Sequence, residues 1–186
     1  MTKFQTKWYL GNSVCSLVPI KHEDGRGFMS EIYQKKTLEE LGINENFVQE
    51  NQSFTKEKFT FRGLHFQKPP FEQAKLIRVL QGSILDFIVD LRASSPTYLQ
   101  YEAITLSAKN FKQVYIPSGF AHGFLTLEEN CEITYKISNY YDQPSDASIS
   151  IFDPALRISL PCEREEVEMS EKDLNAKNWE SMGEIF

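Results

Sequence analysis

Residues 60–91, TFRGLHFQKPPFEQAKLIRVLQGSILDFIVDL, decide the fold, because they place cationic residues, a His and two Asp within strand-like sequence. From Leu85 to Leu91 the apolar side chains alternate with Asp86 and Asp90, so the two carboxylates share one face of the predicted strand. Two interpretations of that face are open. The carboxylates point into an apolar barrel, or they face water on the outside of a two-sided antiparallel sheet.

Composition predicts one mostly β domain spanning residues 1–186. The chain has 186 residues, of which 41% are hydrophobic and 25% are charged, and this size buries a sizeable core without disulfides or metals. Its 14 Phe and 8 Tyr favour strands and aromatic-lined pockets. An all-β fold is therefore predicted.

The charge balance limits the partners. A formal net charge of -6 argues against nucleic-acid binding, whose electrostatic signature is basic. Any anionic ligand must therefore be held by a local cationic cluster. No stretch approaches the roughly 18 to 20 apolar residues of a membrane span, so no membrane association is expected.

Cysteine usage and the first residues predict a cytoplasmic protein. Cys15, Cys131 and Cys162 are an odd number of cysteines with no CxxC spacing. The N-terminal sequence contains no apolar run that resembles a signal peptide.

Strand-type runs recur along the chain and are separated by turns rich in Gly, Pro, Asn, Asp and Ser. The predicted strands lie at residues 1–20 (two runs broken at Gly11-Asn12), 28–34, 47–53, 60–91 (two halves parted by Pro69-Pro70), 98–106, 113–116, 131–141 and 148–152. Gln81-Gly82 is predicted to form a hairpin turn inside the central stretch. Short strands at this spacing indicate a sandwich or a barrel.

The remaining segments are expected at the periphery. Residues 35–41 followed by Gly42 predict a short helix with a Gly stop. Ser170 is a candidate N-cap within a polar tail at residues 163–186, which is expected to be helical or partly disordered. The two N-terminal runs are candidates for pairing with a partner subunit.

Two strands carry polar side chains at unusual positions. In residues 131–141, alternation places Tyr135 on the inward face with Ile133 and Ile137. Tyr135 is either a core residue with a locally satisfied hydroxyl or a site residue. Residues 47–53, FVQENQS, are so rich in amides and carboxylates that they form an edge strand or meet a ligand.

The spacing P-x-G-x-x-H from Pro117 to His122 resembles the second signature of cupins, which are small double-sheet jelly-roll barrels. A cupin metal site adds an H-x-H pair and a Glu on earlier strands. Here the pair reads His65-Phe66-Gln67, with Gln73 and Lys75 following, so His65 and His122 are the plausible nitrogen ligands and a cationic Lys opposes a metal. No metal is predicted.

Taken together, the motifs resemble the dTDP-4-dehydrorhamnose 3,5-epimerases, a family of cupins without metal. The motifs that carry this resemblance are DGRGF (24–28), FVQENQS (47–53), FRGLHFQ (61–67), QAKLIRV (73–79), VDLRASSPT (89–97), IPSGFAHGF (116–124), YKISNYY (135–141), DPALRISLP (153–161) and SEKD (170–173). The resemblance implies a cupin-type jelly-roll barrel with short peripheral helices. It also implies a homodimer that exchanges N-terminal strands.

The implied activity is epimerisation of a nucleoside-diphosphate 4-keto-6-deoxy sugar at C3 and C5, without a cofactor. The C4 ketone acidifies the protons on both carbons, so inversion needs a base, an acid on the opposite face and a stabiliser for the enolate. By resemblance, the catalytic residues are His65 as base, Asp173 as its partner, Tyr135 as acid, Lys75 near the C4 oxygen and Asp86 close to Lys75.

The resemblance also implies a set of substrate-binding residues. Arg26 and Arg62 match diphosphate-binding arginines, and guanidinium groups suit phosphate oxygens. The other matching positions are Glu31, Gln49, Asn51, His122, Asp146 and Lys172. Strict alternation puts Arg62 and His65 on opposite faces, so both reach one pocket only if the strand bends or bulges around Gly63.

The sequence departs from the family pattern at three positions. Asp146 replaces a usual Glu, Phe152 a usual Trp and Phe66 a usual Tyr. These departures leave open an epimerase that inverts one carbon of a related dTDP- or CDP-linked sugar. A nucleotide-sugar-binding cupin without turnover is the alternative from another class, although such a module has no need for His, Lys and Tyr together on inward faces.

Overall fold

Strands dominate the computed structural model, which describes residues 3–183 and 185–186. The strands are β1 Phe4–Tyr9, β2 Val14–Pro19, β3 Lys21–Asp24, β4 Gly27–Ser30, β5 Gln49–Thr55, β6 Thr60–Gln67, β7 Lys75–Gln81, β8 Ser83–Asp90, β9 Tyr101–Ser107, β10 Gln113–Ile116, β11 Phe120–Thr126, β12 Cys131–Ile137, β13 Asp146–Ser148 and β14 Glu168–Met169. The helices are α1 Lys35–Glu40 and α2 Glu171–Leu174, with 3-10 turns at Gln143–Ser145, Arg164–Glu166 and Trp179–Ser181. The all-β prediction is confirmed.

Two six-stranded sheets pack face to face. The first has the order β1-β2-β10-β7-β12-β5, and the second has the order β13-β6-β11-β8-β9 with β14 parallel to β6. β3 and β4 form a separate hairpin. The hairpin predicted at Gln81-Gly82 is wrong, because β7 belongs to the first sheet and β8 to the second. Gly82, at φ +76, turns the chain from one sheet to the other.

The core between the sheets is apolar and takes side chains from both, including Ile77, Ile88 and Ile133. Asp86 lies among them and, like Asp90, is fully buried, so the interpretation that these carboxylates face water is wrong. Asp90 instead organises the loop after β8 by accepting hydrogen bonds from Arg92, Ser95 and Thr97. Burial raises the pKa of Asp90, but these bonds outweigh it and lower that pKa to about 2.

Other segments cover the outer faces of both sheets. Leu38 and Ile43, from α1 and the residues after it, pack on the first sheet. The C-terminal residues cover the second sheet, where Trp179 is buried and Phe186 contacts Phe66. The polar tail is therefore packed against the barrel over its described residues. None of the described helices has the length and apolar composition needed to cross a membrane.

Several predicted strand boundaries are wrong. The strand expected at residues 28–34 ends at Ser30, the one expected at residues 131–141 ends at Ile137, and the one expected at residues 98–106 begins at Tyr101. The strand expected at residues 148–152 is replaced by β13, which ends at Ser148. At residues 31–34 and 149–152 the chain leaves its neighbouring strand to cover a sheet, and this long-range packing leaves no local signal in the sequence. The predicted helix is confirmed as α1, and Gly42 follows it at φ +85.

An irregularity in β6 shapes the barrel wall. β11 pairs with β6 through His122 opposite His65 and Phe124 opposite Arg62, so three steps along β6 match two along β11. This extra residue is the predicted bulge at Gly63, and it brings Arg62 and His65 to the same side. Gly63 has φ +138, and a Cβ there would lie 2.4 Å from the Gly123 Cα.

Gly63→Ala should destabilise the protein strongly, because the added methyl group meets the backbone of β11 and the backbone angle disfavours L residues. We expect a loss of about 2–4 kcal/mol in the free energy of unfolding, measured by denaturant titration. Gly25→Ala is the matched control, since a Cβ at Gly25 has no described atom within 4 Å, and it should change stability by less than about 0.5 kcal/mol. Equal stability of the two variants would contradict the close approach of β6 and β11.

Candidate active site

A cleft opens between the two sheets and contains most of the predicted site residues. One chamber of about 270 Å³ is lined by Ser53, Arg62, His65, Lys75, His122, Phe124, Ile133, Tyr135, Ser170, Lys172 and Asp173. A second chamber of about 190 Å³ shares His65, Lys75, Tyr135 and Lys172 with the first, and Asn51 and Asp146 also line it. The two chambers are therefore one continuous site.

His65 projects from β6 and is paired with Asp173. The His65 Nε2 lies 2.6 Å from the Asp173 Oδ1, although the two residues are 108 positions apart in sequence. Ser170 caps α2 by accepting a hydrogen bond from the Asp173 amide, as the sequence predicts, and this cap fixes the carboxylate. Burial raises the pKa of Asp173, but the hydrogen bond and the charge of His65 outweigh it and lower that pKa below its ordinary value.

A second His–Asp pair lies deeper in the barrel. The His122 Nε2 is 2.6 Å from the Asp86 Oδ1, and both side chains are almost completely buried. Burial lowers the pKa of His122 from its ordinary value, although the Asp86 charge opposes this. The sequence placed Asp86 near Lys75, and the direct contact with His122 was missed because β8 and β11 pair across 36 residues.

Lys75 projects from the start of β7 into both chambers. Its Nζ lies 3.4 Å from the backbone carbonyl oxygen of His65. Burial lowers the pKa of Lys75 to about 8, and the charges of Asp86 and Asp146 limit that decrease. Lys75 therefore carries its positive charge at neutral pH and loses it as the pH rises through about 8.

Tyr135 stands on β12 of the first sheet, so it faces the cleft from the wall opposite His65. It is only partly buried and lines both chambers. The cleft position argues against the alternative of a purely structural core tyrosine. The inward orientation predicted from alternation is confirmed.

Polar residues of β5 line the same wall as Tyr135. Asn51 pairs with Tyr135 in the β5–β12 register, and the Gln49 Nε2 donates a hydrogen bond to the Asn51 Oδ1 at 2.8 Å. β5 is also an edge strand, which confirms the first interpretation of FVQENQS, and contact with a ligand stays a prediction. Arg62 is exposed at the mouth of the cleft, where its Nε donates a hydrogen bond to the Thr55 Oγ1 at 3.0 Å.

The rim of the second chamber is built around Asp146. Lys172 forms an ion pair with Asp146, and the Tyr141 hydroxyl donates a hydrogen bond to the same carboxylate at 3.2 Å. Phe152, another departure from the family pattern, lines neither chamber and stacks with the Arg164 guanidinium at 4.1 Å from the ring centroid.

Arg26 and Glu31 do not line the cleft of their own chain. Arg26 lies on the exposed β3–β4 turn and pairs with Asp24, and Glu31 pairs with Lys3. The reason is local packing: the ammonium of Lys21 lies over the rings of Phe28 and Phe111, which fixes the hairpin on the outside of the first sheet.

In the first chamber, sequence reasoning missed four lining residues, namely Ser53, Phe124, Ile133 and Ser170. Ser53 has a recognisable signal, because alternation from Gln49 through Asn51 places it on the inward face of β5. Its hydroxyl is buried and has no hydrogen-bond partner among the residues that the structure describes.

Gln67 and Gln73 lie where a metal-binding cupin is expected to have ligands, and their side chains contact loops instead. The Gln67 side chain hydrogen-bonds the backbone of Phe71, Tyr140 and Asp142, and the Gln73 side chain donates to the Asn139 carbonyl oxygen. Within residues 3–183 and 185–186, no three His, Cys, Asp or Glu side chains converge to hold a metal ion. The absence of a metal stays a prediction.

Comparisons with known proteins agree over most of the chain. A family model described as dTDP-4-dehydrorhamnose 3,5-epimerase matches residues 12–181. The dTDP-4-dehydrorhamnose 3,5-epimerase of Salmonella typhimurium is 46% identical over 149 residues, which are 80% of this chain and 81% of that protein.

Solved structures show the same similarity. The crystal structure of dTDP-4-dehydrorhamnose 3,5-epimerase from Bacillus anthracis with TDP and PPi bound has a TM-score of 0.91 and 42% identity, and covers 94% of this chain and 99% of that one. A second similar structure is that of dTDP-6-deoxy-D-glucose-3,5-epimerase from Legionella pneumophila in complex with dTDP-4-keto-L-rhamnose. Its TM-score is 0.88 at 39% identity, and the match covers 94% of this chain and 92% of that one. The expected cupin-type double sheet is confirmed by this likeness.

Lys75 provides a direct test of the electrostatics of the cleft. In protein labelled with 13C on its lysine side chains, NMR should detect one lysine that titrates near pH 8, because burial disfavours its charged form. This titration should be missing from Lys75→Met and present in Lys36→Met, where the lysine is exposed. Asp86→Asn should lower the midpoint, since the Asp86 charge raises the pKa of Lys75. A midpoint near the ordinary value of about 10.4 would contradict the buried ammonium.

Proposed function

The chain belongs to the dTDP-4-dehydrorhamnose 3,5-epimerase family, and we propose that it inverts C3 and C5 of a dTDP-linked 4-keto-6-deoxy sugar in the cleft between its two sheets. The assignment of catalytic roles rests on how four side chains are arranged in the cleft. His65 with its buried Asp173 partner faces Tyr135 across the cleft, and Lys75 reaches both chambers between them.

His65 acts as the base in this proposal. The C4 ketone makes the protons on C3 and C5 acidic, and the imidazole removes one of them to leave an enolate. Asp173 accepts a hydrogen bond from the His65 Nε2. It therefore holds the orientation of the imidazole and stabilises the imidazolium that forms. The ionised state of Asp173, which its lowered pKa favours, suits this role.

Lys75 stabilises the enolate oxygen at C4. An ammonium in a buried site interacts strongly with developing negative charge, because little water screens the interaction. His122 lines the same chamber, and its contact with Asp86 fixes the orientation of its ring. The charge of Asp86 also favours the protonated form of Lys75.

Tyr135 returns a proton from the opposite face. Removal and return of a proton on opposite faces of the planar enolate invert the carbon, and the facing sheets supply the two groups from opposite walls.

The cycle moves protons and no electrons, so it requires no redox cofactor, and we propose that it requires no metal. The free cysteines fit the reducing cytoplasm, which we propose as its location.

Arg62 at the mouth of the cleft is the proposed contact of the diphosphate. Lys172 is already paired with Asp146 and is therefore not assigned to the phosphates. Arg62 then offers one guanidinium for two phosphate groups. A second arginine is expected, and the family resemblance assigns this role to Arg26. Arg26 is fixed outside the cleft of its own chain.

We propose that the protein is a homodimer in which each chain supplies Arg26 and Glu31 to the cleft of its partner. Within one chain β2 pairs with β10, so exchange of the N-terminal strands would replace this pairing with the same one to the partner's sheet. The β3–β4 hairpin follows β1 and β2 directly and would move with them to the partner. Exposed Phe28 and Met29 on this hairpin are consistent with a subunit contact.

Isotope exchange separates the roles of the base and the acid. In deuterated water, His65→Asn should abolish exchange at both C3 and C5 of the 4-keto sugar nucleotide while substrate binding stays within a few-fold of the parent. Tyr135→Phe should retain some loss of substrate hydrogen but form little inverted product. Proton NMR follows both carbons. An equal loss of exchange in the two variants would contradict this division of roles.

Complementation tests the shared cleft. Arg26→Ala and His65→Asn chains, co-expressed with different affinity tags, should form a heterodimer with about half of the parental kcat/KM, because one cleft then contains both intact residues. The matched control combines Arg62→Met with His65→Asn. Arg62 and His65 line one cleft of the same chain, so neither cleft of that heterodimer is complete and its kcat/KM should stay far below half of the parental value. Failure of the first pair to recover activity would show that Arg26 does not serve the partner.

A further inference from the structure

The end of β5 holds the arginine at the mouth of the cleft. Thr55 is only 3% exposed, whereas Arg62 is exposed. The Arg62 Nε donates a hydrogen bond to the Thr55 Oγ1 at 3.0 Å, and its Nη2 lies 3.5 Å from the Phe54 carbonyl oxygen. The two contacts hold one edge of the guanidinium against β5.

The opposite part of the guanidinium stays available for a ligand. Arginine has five N–H donors in a planar fork, and the contacts to β5 use the Nε edge. Both Nη1 hydrogens and the second Nη2 hydrogen then point away from Thr55. This geometry suits bidentate contact with phosphate oxygens.

Thr55 is a rigid acceptor. It is β-branched, pairs with Cys131 in the β5–β12 ladder and is buried, so its side chain has little conformational freedom. A free arginine side chain loses rotamer entropy when it is fixed. An arginine that is already held against Thr55 has lost part of that freedom before the ligand arrives.

We propose that Thr55 is a positioning residue for nucleoside-diphosphate recognition, acting by orienting the Arg62 guanidinium towards the phosphates. The inference rests on the proposed function, in which Arg62 contacts the diphosphate. It adds a residue that none of the family motifs singled out for binding. A purely structural role of the hydrogen bond would link β5 to β6 without any effect on ligand affinity.

Two substitutions separate these roles. Thr55→Val keeps the shape of the side chain and removes the acceptor, and Thr55→Ser keeps the acceptor. Thr55→Val should weaken the binding of thymidine diphosphate, measured by calorimetry, by about three- to tenfold, because the charged contact of Arg62 itself remains and only its orientation is lost. KM should rise by the same factor while kcat stays within about twofold, because the contact is made equally in the ground and transition states. Thr55→Ser should stay within about twofold of the parent in both constants.

A double-mutant cycle with Arg62→Met shows whether Thr55 acts through Arg62. Arg62→Met alone should weaken thymidine diphosphate binding by about 10- to 100-fold. Adding Thr55→Val to Arg62→Met should cause no further loss. Thermal unfolding checks that each variant is folded, and Thr55→Ala replaces Thr55→Val if the valine variant does not fold.

The outcomes distinguish the inference from the proposed function. If Arg62→Met weakens binding and Thr55→Val does not, the positioning role is wrong and the proposed function stands. If Arg62→Met leaves both binding and KM unchanged, the diphosphate contact assigned to Arg62 in the proposed function is wrong, and the inference falls with it. If Thr55→Val weakens binding equally with and without Arg62, the hydroxyl does not act through the guanidinium and the inference is overturned.

Discussion

One extra residue in β6 is the constraint on which the site depends. In a regular strand, side chains three positions apart point to opposite faces, so Arg62 and His65 would lie on opposite sides of the barrel wall. The bulge at Gly63 rotates the chain between them and brings both to the cleft. The bulge is possible because neither Gly63 nor Gly123 has a Cβ, so the two backbones approach more closely than a side chain would permit. Phosphate recognition and proton abstraction are thereby placed on one wall.

Charge pairing makes a polar site possible inside an apolar barrel. A buried ion without a partner costs several kcal/mol, so isolated carboxylates are rarely found there. Asp86 and Asp173 each contact a histidine, and Asp146 contacts Lys172. Lys75 has no such direct carboxylate partner among the described residues, and burial lowers its pKa more than the charges of Asp86 and Asp146 raise it. A cation without a paired carboxylate is thus the one proposed to meet negative charge that appears only during the reaction.

The sequence predicted features that depend on local periodicity. Alternation identified the inward face of Tyr135, and the conflict between Arg62 and His65 predicted the bulge. Features set by distant contacts were not predictable in this way. The Gln81-Gly82 turn has the composition of a hairpin turn, and the switch between sheets follows from pairing with β12 and β11. The pairing of His122 with Asp86 needs the register of β11 and β8. The composition of residues 163–186 indicates a polar tail, although Trp179 and Phe186 anchor it.

The pairing of His65 with Asp173 has a consequence for biosynthesis. The strands from β1 to β13 are complete by Ser148, but the carboxylate that orients the base arrives about 25 residues later, on α2. During synthesis on the ribosome, the barrel sequence therefore emerges before the site is chemically complete. A nascent or prematurely terminated chain that ends before Asp173 contains the imidazole without its partner. Proton abstraction therefore depends on synthesis of the chain as far as α2, and chains that end before Asp173 lack the oriented base.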